Sequence, residues 1–119
     1  MKDRGDSPAA ASTDTTKPVH VESESHLETL IEGSRLLLVD FHAEWCGPCQ
    51  ALEPTVESLA ADTPATVAKV DIDDLRELAR EHEVRGVPTM QLYADGELVE
   101  QLVGLRDEGT LRKLVGGYA

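Results

Sequence analysis

The sequence predicts an α/β domain in which a central mixed sheet of about five strands is flanked by about four helices. Three observations lead there. Strand-like and helix-like segments alternate from Val19 onward, which calls for parallel strands joined by crossover helices on both faces of a sheet. Towards the C-terminal end two strand-like runs flank Asp95-Gly96, a hairpin turn signal that adds antiparallel pairing. A chain of 119 residues with 40% apolar content suits one domain able to bury a core without disulfides or a structural metal.

The elements follow in order. Residues 1–18 are rich in Asp, Ser, Thr, Ala and Pro without a hydrophobic pattern, so they cannot offset the entropy of ordering and read as a flexible tail before a domain spanning 19–119. Val19-His20-Val21 alternates as a short strand does. Ser25-His26-Leu27-Glu28 fits a capping box, opening a helix through Ile31 that ends near Gly33. Leu36 to Phe41 is apolar except for Asp40, as expected of a strand covered on both faces. After Pro48, the residues Leu52, Val56, Leu59 and Ala60 recur at helical spacing. Thr66 to Ile72 reads as a strand, and Leu75, Leu78 and Ala79 as a helix ending before Gly86. Thr89–Tyr93 and Leu98–Val103 form the hairpin, and Leu111, Leu114 and Val115 mark a final helix. Aromatic residues make up only 3%, so the core must be built from Val, Leu, Ile and Ala.

Charge narrows the function. With 23 acidic against 11 basic residues the formal charge is −12. Such a surface repels phosphate backbones and argues against nucleic-acid binding. The basic residues are four Lys and seven Arg. An acid-rich, Lys-poor composition is that of salt-adapted, halophilic cytosolic proteins, the alternative being a mesophile with an acidic tail and face. No segment reaches the ~20 apolar residues of a membrane helix, so no membrane partner is expected. The start, MKDRGDSPAAASTDTTKP, has no apolar region of the kind a secretory signal carries. A cytoplasmic, reducing compartment is therefore expected, where two cysteines are catalytic or metal-binding rather than structural.

The only two cysteines stand in Glu44-Trp45-Cys46-Gly47-Pro48-Cys49-Gln50, between a buried strand and a helix. Pro48 suits the first helical turn, where its missing N–H would be unbonded anyway. Cys46 then falls near the N-cap, where free N–H groups and the helix dipole favour a thiolate. Cys49 lies one turn later, within reach of a mixed disulfide on Cys46, so the pair can cycle between dithiol and disulfide. Other readings meet obstacles. Zinc needs about four ligands, and although His42 lies four residues before Cys46, a fourth ligand is not evident. A c-type haem needs His after the second Cys, and Gln50 is there. A structural disulfide would close too small a loop to stabilise much.

With these residues in place the chain resembles the thioredoxin family. Val39 to Gln50, VDFHAEWCGPCQ, is similar to that family's active-site segment nearly residue for residue. Val67–Asp73 (VAKVDID), Arg85–Thr89 (RGVPT) and Asp95–Val99 (DGELV) match in order and spacing, and the likeness covers about Val19 to Ala119. WCGPC followed by VPT at this distance is highly specific, whereas CxxC alone is weak.

The resemblance implies a thioredoxin fold and a catalytic set of Cys46, Cys49, Asp40 and Lys69. Cys46 is the exposed nucleophile and Cys49 the buried resolving thiol. Asp40 is a buried acid exchanging a proton with Cys49 through water; a carboxylate inside an apolar strand is costly without a partner, and burial raises its pKa. Lys69 is the strand lysine facing Asp40. Pro88 is cis and packs on the cysteine pair, presenting the Val87 backbone to an extended substrate that adds like a strand. Trp45 shields the disulfide and joins the contact surface with Gly47, Pro48 and Gly104; Gly47, Gly86 and Gly104 permit close approach of the partner chain. The implied activity is protein-disulfide reduction with no bound cofactor beyond the redox-active Cys46–Cys49 pair. The implied partners are disulfide-containing client proteins and a flavin-dependent thioredoxin reductase, with the protein a monomer. Two departures bear on redox tuning: His42 stands where the family usually has an aromatic residue, and Gln50 replaces a usual Lys or Arg. Two alternatives keep the same pair in view: an oxidase or isomerase of the same fold, or a non-catalytic binding module using the Trp45/Val87 groove.

Overall fold

The computed structural model describes residues 15–119. Of the tail expected over 1–18, residues 1–14 lie outside the described residues, and Thr15 to Lys17 form an exposed turn. The elements then run β1 (Val19–His20), α1 (Glu24–Gly33), β2 (Leu36–His42), α2 (Gly47–Asp62), β3 (Thr66–Asp71), α3 (Arg76–Glu81), β4 (Thr89–Ala94), β5 (Glu97–Val103) and α4 (Glu108–Gly116). Their order and types are those expected.

The strands form one five-stranded sheet in the order β1-β3-β2-β4-β5. β3 pairs parallel with both β1 and β2. β4 pairs antiparallel with β2, and β5 with β4. β2 is thus the central strand, and all but its last residue are buried. Period-two alternation splits its side chains between two cores. Leu36 and Leu38 pack with Leu52, Val56 and Leu59 of α2 and Leu111 and Val115 of α4. Leu37, Val39 and Phe41 pack with Leu27 of α1 and Leu78 of α3. Burying one such Leu or Phe stabilises by roughly 1.5–3 kcal/mol. The register sets Asp40 opposite Lys69 on β3 and Met90 on β4, on the α2 side of the sheet by its alternation with Val39 and Phe41.

Several strand ends differ from expectation by one residue, and the helix ends have local reasons. The cap of α1 is Ser23, not Ser25: its side chain accepts from the His26 N–H, and His26 Nδ1 accepts in turn from the Glu22 N–H. Val21 leaves the ladder as a regular strand residue, although its N–H still donates to the Lys69 carbonyl. α3 ends at Glu81, before Gly86 as expected. There Glu83 adopts φ 60°, and the Glu83 and Val84 N–H groups donate to the Arg80 and Ala79 carbonyls. This is a Schellman closure with glutamate where glycine is usual.

The hairpin turn forms as expected, with Asp95 at φ 51° and Gly96 at φ 85°, the left-handed pair that a two-residue turn demands. Buried Gln91 is satisfied by the Tyr93 hydroxyl, the His82 carbonyl and Gln101.

Candidate active site

Three segments meet at the C-terminal end of β2: the turn into α2, the turn after β3, and the loop before β4. Cys46 is the N-cap of α2, with Pro48 in its first turn. Its sulfur accepts the Cys49 N–H at 3.1 Å, which is the orphan donor that an N-cap satisfies. Cys46 and Cys49 are joined as a disulfide, their Cα atoms 5.2 Å apart.

The expected contrast between an exposed Cys46 and a buried Cys49 is corrected: they are 4% and 5% exposed. In the disulfide state both sulfurs belong to one small apolar cluster with Ala43, Ile72 and Val87. Gly47 and Pro48 beside them are exposed.

Trp45 is 69% exposed, and its indole N–H donates to Asp73 Oδ2 at 2.8 Å. A core role for this tryptophan is thereby excluded. Gln50 donates its side-chain amide to the Glu44 carbonyl at 2.9 Å, fastening the turn in front of Cys46. The Asp71 carboxylate accepts from the Asp73 and Asp74 N–H groups. That turn brings Asp71, Asp73 and Asp74 together with Glu44 and Trp45 around an open cavity of about 410 Å³.

On the other side, the Val87–Pro88 peptide is cis, and Val87 packs on the cysteine cluster. The Pro88 carbonyl accepts from the Gly104 N–H at 2.8 Å, which ties the β5 end to the same loop. Gly104 has φ 96°, a conformation that side chains strain to adopt. Its neighbours Val103 and Leu105 are 58% and 49% exposed. They extend the apolar surface beyond the residues found in the sequence, where their only signal is that they flank Gly104.

Beneath this surface Asp40 is 3% exposed, and its Oδ1 has no hydrogen-bond partner. Burial pushes its pKa up to about 7, against a lowering by Lys69 and with a further push from Glu53. Lys69, 6% exposed, does lie across the ladder from Asp40. Its ammonium, however, donates to the carboxylate of Glu53 on α2. Sequence reading missed Glu53, because a glutamate within a helix normally marks a solvated face. His42 is half-buried; desolvation first, then the charge of Lys69, hold its pKa below the ordinary value. Among the described residues no cluster of three or more His, Cys, Asp or Glu is arranged to hold a metal, and no helix is long and apolar enough to cross a membrane.

The family model described as Thioredoxin matches residues 17–116. Thioredoxin of Chlamydia trachomatis is 45% identical over 99 residues, covering 82% of this chain and 95% of that protein. Mitochondrial thioredoxin of Mus musculus is 42% identical over 95 residues, which cover 75% of this chain and 57% of that protein. Among solved structures, a mutant thioredoxin from Halobacterium salinarum NRC-1 superposes with a TM-score of 0.86 at 47% identity, covering 90% of this chain and 95% of that one.

Proposed function

The chain belongs to the thioredoxin family, and from that membership we propose that Cys46 attacks client disulfides, that Cys49 resolves them, and that Asp40 takes the Cys49 proton. The activity is protein-disulfide reduction by thiol–disulfide exchange. The Cys46 thiolate attacks one client sulfur, the client S–S bond breaks, and the leaving client sulfur takes a proton. Asp40 accepts the proton of Cys49. The Cys49 thiolate then attacks Cys46 Sγ, the Cys46–client bond breaks, and the second client sulfur leaves and is protonated. Two electrons pass to the client, and the protein is left with the Cys46–Cys49 disulfide.

The observation that carries this reading is the cysteine pair on the first turn of α2, with Cys46 as its cap. The free N–H groups there favour a thiolate. A carboxyl with a pKa of about 7 is matched to proton transfer at neutral pH. Val87, packed on the pair, offers its backbone to an extended client segment, which adds as a strand. Trp45, Gly47, Pro48 and Gly104 form the surrounding contact surface, with Pro88 buried beneath it. No bound cofactor is required, and a flavin-dependent thioredoxin reductase returns the dithiol. The setting is a reducing cytoplasm, and a salt-rich one by the charge of −12. The protein acts as a monomer, and residues 1–18 lie outside the working domain.

Insulin disulfide reduction with dithiothreitol as donor tests the assignment. Cys46→Ser is expected to fall to the uncatalysed background. Cys49→Ser is expected to accumulate a mixed disulfide on Cys46, visible by mass. Turnover retained in folded Cys46→Ser would sink the reading.

A further inference from the structure

Two carboxylates compete for one buried lysine beneath the cysteine pair. Asp40 stands directly across the ladder from Lys69, the position from which a buried acid and ammonium ordinarily pair. Instead Lys69 donates to Glu53, and Asp40 Oδ1 is left without a partner. Glu53 is half-buried on α2, four residues after Cys49, so the two project from neighbouring positions on one helix face. Pro54 follows it inside the helix, where it has no N–H to donate to the Gln50 carbonyl.

We propose that Glu53 is a positioning residue for the resolving step: by holding the Lys69 ammonium off Asp40, it keeps the Asp40 carboxyl unpartnered and free to take the Cys49 proton. This rests on the reading of Asp40 as the acceptor of that proton, and it goes beyond that reading by assigning a residue outside the catalytic set. The charge logic is direct. A lysine bound to Asp40 would stabilise its carboxylate and weaken it as a base, and a lysine neutralised by Glu53 does so less. Among the described residues the other groups around Asp40 are few. β3 contributes Lys69, and α2 contributes Glu53. β4 contributes neutral Met90, and α4 turns Leu111 and Val115 to this core. Along β2, His42 feels Lys69 and Glu53 as well as Asp71 and His20.

The step concerned transfers the Cys49 S–H proton to Asp40, forms the Cys46–Cys49 bond, and expels the client sulfur with its electron pair. It is isolated by mixing reduced protein with an aromatic disulfide whose thiolate product absorbs. Attack by Cys46 releases the first equivalent, and resolution by Cys49 releases the second. The pH profile of the second phase is then compared in wild type, Glu53→Gln, Lys69→Met, the double variant and Asp40→Asn. Carboxyl-carbon NMR titration of Asp40 in the oxidised proteins gives the midpoint directly, independent of rates.

In Glu53→Gln the Asp40 midpoint is expected to move acidward by about one unit, with the second phase slowed by at most about fivefold at pH 7, because the weaker base is also more fully ionised there. The first phase is expected to keep its rate. With Lys69→Met already present, the same Glu53 change is expected to produce less than half that shift. An unmoved midpoint in Glu53→Gln, or an equal shift with and without Lys69, overturns the proposal. An Asp40→Asn variant that keeps the wild-type pH limb in the second phase overturns the underlying reading of Asp40, and the role of Glu53 falls with it.

Discussion

At the scale of single residues, Asp40 ties function to stability through its proton. Its carboxyl titrates at about 7 in the folded protein against an ordinary 3.8. Between those values the folded state holds a proton that the unfolded chain has lost, so stability falls as pH rises through this window. The stabilising contribution is complete below about 3.8 and gone above about 7. A shift of that size corresponds to roughly 4 kcal/mol, with little solvent screening because the residue is 3% exposed. The oxidised protein is therefore expected to lose stability from about pH 4 to about pH 7, and Asp40→Asn to flatten that slope and be the more stable of the two above the window. Urea denaturation across the range checks it, and parallel slopes in the two proteins would contradict it. Asp40 itself is legible in the sequence because one acid interrupts Leu36 to Phe41. Lys69 is legible as its ladder neighbour. That Lys69 turns to Glu53 is not legible, because sequence pattern places a residue on an element but does not say which of two acids a long side chain will reach.

At the scale of elements, periodicity carries almost everything and capping carries the differences. The order of the nine elements among the described residues and the Asp95-Gly96 turn follow from apolar spacing and one dipeptide. The start of α1 lies two residues before the cap read from the sequence: the capping-box pattern points to Ser25, but it is Ser23 that accepts the His26 N–H. The closing residue of α3 is not a glycine, so the sequence does not mark where before Gly86 the helix ends. Glu83 takes φ 60° there, which costs a side chain about 1–2 kcal/mol. Val84 nevertheless packs against the core cluster containing Leu78, and that contact fixes the turn. Replacing Glu83 by glycine removes the steric cost at the expense of about 0.5–1 kcal/mol of unfolded-chain entropy. A net gain of roughly 0.5–1 kcal/mol is expected, read as a higher denaturation midpoint with an unchanged m-value. A destabilised Glu83→Gly variant would mean that the glutamate side chain contributes more than its backbone costs.

At the scale of the whole molecule, composition sets the sign of the field and folding sets its direction. A charge of −12 says that the surface repels itself, but nothing in the sequence says where clients would feel it most. The turn after β3 gathers Asp71, Asp73 and Asp74 beside Glu44 and Trp45, next to the cysteine pair. In the strand order β3 lies on one side of β2 and β5 on the other, so this acidic rim stands across the site from the apolar strip of Val103 and Leu105. Salt then acts in two separable ways. Screening of self-repulsion is expected to raise Tm from low to molar potassium chloride. Screening between the acidic rim and a client should slow encounter with a basic client and speed encounter with an acidic one. Two peptides with the same disulfide, one flanked by lysines and one by glutamates, separate the effects. At low salt kcat/KM is expected to favour the lysine peptide by about tenfold or more, and the preference should collapse in molar salt. Neutralising the rim by Asp73→Asn with Asp74→Asn should reduce the preference at low salt without changing the rate of reaction with a small uncharged disulfide. A preference that survives both molar salt and the double substitution would place client selection in the apolar strip, since contacts there are not screened.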